Sequence, residues 1–163
     1  MVKNSDEIEI MKNSINTTKE AIYNVMNHHD ELDNEMVAEA YHSFVLHKNA
    51  KVESFGSIIA AGKNAATLHY EDNNMPIEKD SLLLMDVGCF TNNYSSDITR
   101  TIPVSGKFTT RQKEVYEVVL DCNKKCIEYA KAGMTWQELN DYAKKILAEG
   151  CKKLGLIEKD EDL

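Results

Sequence analysis

The sequence predicts an α+β protein built as a helix pair, an antiparallel β-rich middle and a second helix pair. Three observations carry this. Apolar residues recur at helical spacing from Ser5 to about His28 and again after Gly106. Between them, Val52 to Val104 is rich in apolar and β-branched runs punctuated by Gly and Asn. Helix-start signatures of the capping-box kind occur in both helical ends.

The first helix is marked by Ile8, Met11, Ile15, Ile22 and Met26, with Asn4 and Glu7 as its capping box. A second helix is expected from about Asn34 to Lys48. Asp33 is its candidate N-cap, Leu32 and Val37 a hydrophobic staple, and Met36, Val37, Ala40, Tyr41, Phe44 and Val45 its apolar face. Phe55 to Ala61 predicts a strand ended by Gly62. Leu82 to Met85 is wholly apolar, as in a strand covered on both faces. Thr91-Asn92-Asn93 signals a turn, and Tyr94 to Val104 a returning strand. Thr109 with Gln112 opens a helix to about Lys131, closed by Gly133. Thr135 with Glu138 opens another to about Leu154, closed by Gly155. The two helix pairs lie about a hundred residues apart. They are either the echo of an internal repeat or two instances of a common motif.

Composition narrows the function. The 163 residues are 42% hydrophobic and 28% charged, which fits a folded globular chain. No apolar run approaches a membrane span, and the polar start, Met-Val-Lys-Asn-Ser-Asp-Glu, has no signal-peptide core. A net charge of -8 leaves no basic footprint for nucleic acid. Cys89, Cys122, Cys126 and Cys151 match neither a metal spacing nor a disulfide framework, so reduced cysteines and a cytoplasmic location are expected.

Chemistry concentrates between Leu82 and Thr101. Asp86 follows the apolar run and Asp97 lies on the returning strand. A hairpin symmetric about Asn92-Asn93 sets Asp97 opposite Gly88 and Thr99 opposite Asp86, with all four on one face. The aspartates are then diagonal neighbours able to grip one ion or two, with Gly88 leaving room for metal. The alternative is that each aspartate caps a turn or pairs with a base such as Arg100. Of the five histidines, His28, His29, His42 and His47 read as surface residues of the first helix pair. His69, in Leu68-His69-Tyr70, is either a packed histidine or a functional one.

Leu82-Leu83-Leu84-Met85-Asp86-Val87-Gly88-Cys89, Tyr94-Ser95-Ser96-Asp97-Ile98-Thr99-Arg100-Thr101 and Pro103 to Phe108 together resemble the pita-bread metallopeptidases. The closest resemblance is to the aminopeptidase P and prolidase branch, which acts on Xaa-Pro bonds. Leu68-His69-Tyr70 and the opening Lys3 to Ile8 support that branch. The resemblance implies that Asp86 chelates one divalent metal and Asp97 bridges two, with Thr99 as outer support and His69 facing the substrate near the scissile amide or the leaving proline. It implies manganese, with cobalt or zinc as alternatives, and attack of a metal-bound hydroxide on the Xaa-Pro peptide carbonyl.

The family completes its site with a histidine and two glutamates on the second half of the fold, and no matching motif occurs here. Glu114, Glu128 and Glu138 lie on predicted helices and do not replace them. Residues 1–163 are therefore expected to be the first half of the catalytic domain plus the helices opening the second. Alone they should bind metal weakly and hydrolyse nothing. An unpaired sheet edge and an open core suggest a homo-oligomer. The rivals are a non-catalytic pita-bread peptide- or protein-binding module and, disfavoured by Leu68-His69-Tyr70, a methionine aminopeptidase.

Overall fold

The computed structural model describes residues 2–49 and 51–159. The chain divides into two compact units, Met1–Lys107 and Phe108–Leu163.

The first unit opens with helix α1, Ser5–Asn27, whose capping box is formed by Asn4 and Glu7. Helix α2, Glu35–Lys48, follows a single 3-10 turn. Its N-cap is Asn34, which accepts from the Met36 N–H, and not Asp33. The buried stripe of α2 matches the expected one in part. Val45 is buried and Val37 and Tyr41 pack against the core, but Met36, Ala40 and Phe44 are exposed. Glu35, Ala38, His42 and Leu46 complete the inward stripe, two of them polar residues that the apolar pattern does not show.

Six strands follow: β1, Val52–Glu53; β2, Ile58–Ala61; β3, Leu82–Val87; β4, Cys89–Thr91; β5, Tyr94–Ser95; and β6, Ile98–Pro103. They form two three-stranded antiparallel sheets, ordered β2-β3-β6 and β1-β4-β5. Each arm of the long hairpin thus passes from one sheet to the other, at Gly88 and at Ser96-Asp97. One face of β2-β3-β6 packs Ile59, Ala61, Leu83, Met85 and Val87 with Ile22, Val25, Leu32 and Ala38 of the helical layer. The alternate residues Leu82, Leu84 and Asp86 are only half-buried. β3 is therefore covered fully on one face alone, in place of the two inferred from its apolar run.

The outer edge of β2 is not open. The Ile59 N–H donates to Asn73 Oδ1 at 2.8 Å, and the Ala61 N–H to Glu35 Oε1 at 2.8 Å. Asn73 Nδ2 in turn donates to the Ser57 carbonyl at 2.7 Å. Side chains occupy the positions another strand would take, so the expected unpaired edge is absent on this side of the sheet.

The second unit holds α3, Thr110–Tyr129, and α4, Trp136–Lys153, each opened by its predicted capping box. Gly155 directly follows the C-cap of α4 with a left-handed φ of 66°, as helix-ending glycines do. α3 ends earlier than expected, at Tyr129 with Ala130 as its extended C-cap, so Gly133, φ 90°, lies in the turn beyond and does not close the helix. Gly150 lets α4 close on Val118 of α3, where an added methyl would overlap the valine. All four cysteines are free thiols. No helix among the described residues is long and apolar enough to cross a membrane.

Candidate metal centre

The centre of the hairpin is built by register. Asp86 pairs with Thr99 and Val87 with Ile98. Beyond the sheet junction, Phe90 pairs with Ser95 and Thr91 with Tyr94. The register is the same on both sides. It is closed by Asn92 and Asn93, both left-handed at φ 47° and 69°, a conformation asparagine tolerates in two-residue hairpin turns. Asp97 therefore comes level with Gly88, and Ile58 flanks Asp86 from β2.

The two carboxylates are neighbours. Asp97 is exposed and Asp86 half-buried. Desolvation by the atoms around it, then the charge of Asp86, then a hydrogen bond with Asp86 all push the Asp97 carboxyl above its ordinary pKa. Thr99 Oγ1 donates to Asp86 Oδ1 at 2.9 Å and so fixes one oxygen of that carboxylate. The expected alternative partner, Arg100, turns away and donates from Nη1 to the Thr99 carbonyl at 2.8 Å. No ion pair joins either aspartate to a base among the described residues. Two crowded, uncompensated carboxylate groups suit a hard divalent cation. Among the described residues no group of three His, Cys, Asp or Glu side chains could hold one.

Gly88 has a different role from the one its position suggested. A methyl there would overlap Ser54 Oγ and the Ser96 carbonyl oxygen and press on the Phe55 ring. The missing side chain lets protein atoms close up on the Cβ position, so the glycine serves the sheet junction and does not leave open space there.

Asp97 is aimed by its predecessor. Ser96 is 4% exposed, and its hydroxyl accepts from the Cys89 N–H at 3.0 Å. It also lies 2.7 Å from Thr18 Oγ1 and 3.0 Å from Ser14 Oγ, both on α1. Ser14 also donates to the Cys89 carbonyl. This buried hydroxyl cluster anchors the junction to α1. Its members gave no sequence signal, because Ser14 and Thr18 interrupt the helical apolar pattern.

His69 occupies an exposed turn with a left-handed φ of 53°. The next residue, Tyr70, packs with Ile58, Ala60 and Leu84, residues of the half-covered sheet face that also bears Asp86. His69 makes no hydrogen bond or ion pair with either aspartate. Of the other histidines, His28 and His29 bond the Asn24 and Val104 carbonyls, and His47 is exposed. His42 corrects the surface assignment. It is 1% exposed, and neither ring nitrogen has a hydrogen-bond partner.

Comparisons with known proteins bear on this geometry. The profile of metallopeptidase family M24 matches residues 9–159. The chain is 38% identical over 161 residues to the Probable Xaa-Pro aminopeptidase PEPP of Phaeosphaeria nodorum, covering 98% of this chain and 35% of that protein. Among solved structures, a candidate aminopeptidase P from Bacillus anthracis superposes with a TM-score of 0.95 at 44% identity, covering 99% of this chain and 39% of that one. Zinc-substituted aminopeptidase P of Escherichia coli in complex with product does so with a TM-score of 0.92 at 29% identity, covering 98% and 37%. The chain thus spans about a third of the length of its curated relatives. Two further structures of the Escherichia coli protein carry alanine at one or other of two aspartates eleven positions apart, the spacing of Asp86 and Asp97. The architecture is that of part of the aminopeptidase P pita-bread domain.

Proposed function

The chain belongs to metallopeptidase family M24, and on that premise we propose that it supplies half of the active centre of a cytoplasmic Xaa-Pro exopeptidase. The observation that carries this is the contact between Asp86 and Asp97 on one sheet face, with no base paired to either among the described residues. These carboxylates would hold divalent ions, with manganese favoured by their hard oxygen donors and cobalt or zinc as alternatives. When bound, such ions lower the pKa of water and polarise a carbonyl. Thr99 holds Asp86 in its binding orientation. His69, at the rim, donates a hydrogen bond to the peptide on the side of the scissile Xaa-Pro amide. Relatives named as Xaa-Pro aminopeptidases support the substrate class.

Two carboxylates do not complete a catalytic centre, so residues 1–163 alone are inactive and the activity needs further ligands. The test is an assay on Xaa-Pro dipeptides and Xaa-Pro-Yaa tripeptides with manganese, cobalt or zinc. It uses both the 163-residue chain and the protein in its full natural length. Release of the N-terminal residue is expected from the latter only, and loss of that release in Asp97→Ala. No turnover by the full-length protein with any of the three metals would favour a peptide-binding role instead. Turnover by the short chain would refute the need for further ligands.

A further inference from the structure

We propose that Glu35, buried at the start of α2, is the positioning residue for His69. The proposal rests on the substrate-facing role given above to His69.

Glu35 is 0% exposed, and each of its oxygens accepts twice. Oε1 takes the Ala61 N–H at 2.8 Å and Asn64 Nδ2 at 3.0 Å. Oε2 takes the Tyr70 hydroxyl at 2.6 Å and the Met75 N–H at 3.0 Å. Four donors fill the acceptor capacity of one carboxylate. Burial pushes the Glu35 carboxyl up, but these hydrogen bonds outweigh it and hold its pKa below the ordinary value. The helix N-terminus beside it also favours the charged form.

The donors bracket one segment. Ala61 precedes it, Asn64 lies in its 3-10 turn, Tyr70 sits in its middle and Met75 is near its end. A backbone bond from Glu35 N–H to the Met75 carbonyl, 3.0 Å, reinforces the closure. The segment contains no strand, and His69 stands at its exposed turn. His69 is bonded covalently to the one residue of that turn, Tyr70, that Glu35 clamps onto the sheet face bearing Asp86. A catalytic group displaced by about 1 Å can cost a factor of roughly 100. Glu35 therefore acts through His69 and touches no substrate.

The test is a double-mutant cycle on the full-length protein with a Xaa-Pro peptide and manganese. Glu35→Gln sets its amide NH2 against one of the two donor pairs, Ala61 with Asn64 or Tyr70 with Met75, and so breaks the four-donor clamp. Tyr70→Phe removes one clamp bond while keeping the packed ring, and stands in should Glu35→Gln fail to fold. Each is expected to lower kcat/KM, Glu35→Gln roughly 100-fold. Each is expected to cost nothing further in the His69→Ala background, because the residue it positions is gone. Full additivity in that background would overturn the proposal while leaving the role of His69 intact. Wild-type turnover by His69→Ala would instead refute that role, and this proposal with it. Amide hydrogen exchange gives a readout apart from turnover. Residues 62–75 should exchange faster in both variants while β3 is unchanged, and unaltered exchange across 62–75 would also overturn the proposal.

Discussion

Thr99 donates its hydroxyl to Asp86 across the β3–β6 ladder at 2.9 Å, from the residue directly opposite in register. Partners that orient a metal-binding carboxylate typically matter by about 10–100-fold in affinity or activity. Thr99→Val keeps the β-branched shape and deletes the bond. In the full-length protein, manganese affinity by titration calorimetry should fall within that range. Thermal stability should barely change, since Thr99 is exposed.

Gly88→Ala should fail differently. Its methyl would meet the Ser96 carbonyl and Ser54 Oγ, neither of which can move without disturbing the sheet junction. The expected cost is about 3 kcal/mol or more, read as a lowered urea midpoint in the 163-residue chain without metal. A variant that folded normally and lost only metal affinity would restore the idea that Gly88 makes room for an ion.

Ser96→Ala removes the hydroxyl shared by Ser14, Thr18 and the Cys89 N–H. A buried group left unsatisfied costs about 1–3 kcal/mol. Several partners depend on this one, so a loss of about 2–3 kcal/mol is expected by chemical denaturation. Thr18→Val, which leaves the Ser96 bond to Cys89 in place, should cost less.

His42 makes stability depend on pH. Burial depresses its pKa from the usual 6.5 to about 4, so the folded state resists a proton that the unfolded chain accepts. The stabilisation is complete above the unfolded pKa. It is lost progressively as pH falls from about 6.5 to about 4, by at most about 3 kcal/mol. Denaturation midpoints measured from pH 7 to pH 4 should fall more steeply for the wild type than for His42→Leu, which cannot titrate. Parallel slopes would refute this account.

The sequence showed the elements best where local chemistry decides them. Both helix pairs, three capping boxes and the hairpin register follow from residues within one turn or one ladder of each other. The aspartate pair was legible for the same reason, since it needs only alternation and a two-residue turn. What could not be read was burial of polar residues. His42 is read from the sequence as a helix-surface residue, and nothing in the sequence sets Glu35 apart from any other acid in a first helical turn. Ser14, Thr18 and Ser96 carry no local signal either. Their environments come mostly from partners far along the chain, from 26 residues for Glu35 and Ala61 to 82 for Ser14 and Ser96, while neither His42 ring nitrogen has a hydrogen-bond partner. Asp33 lost the N-cap to its neighbour Asn34, a one-residue choice that a string of capping-competent residues leaves open.

The side chains of Asn73 and Glu35 along β2 also limit how copies of this protein could grow together. Among the described residues, a sheet sealed along β2 leaves β6 as its other margin for another molecule's strand. Joining through β6 uses up that margin in both molecules. Association through this sheet would end at a closed pair and could not continue into a fibre, so the same contacts that hold the His69 segment also act against polymerisation.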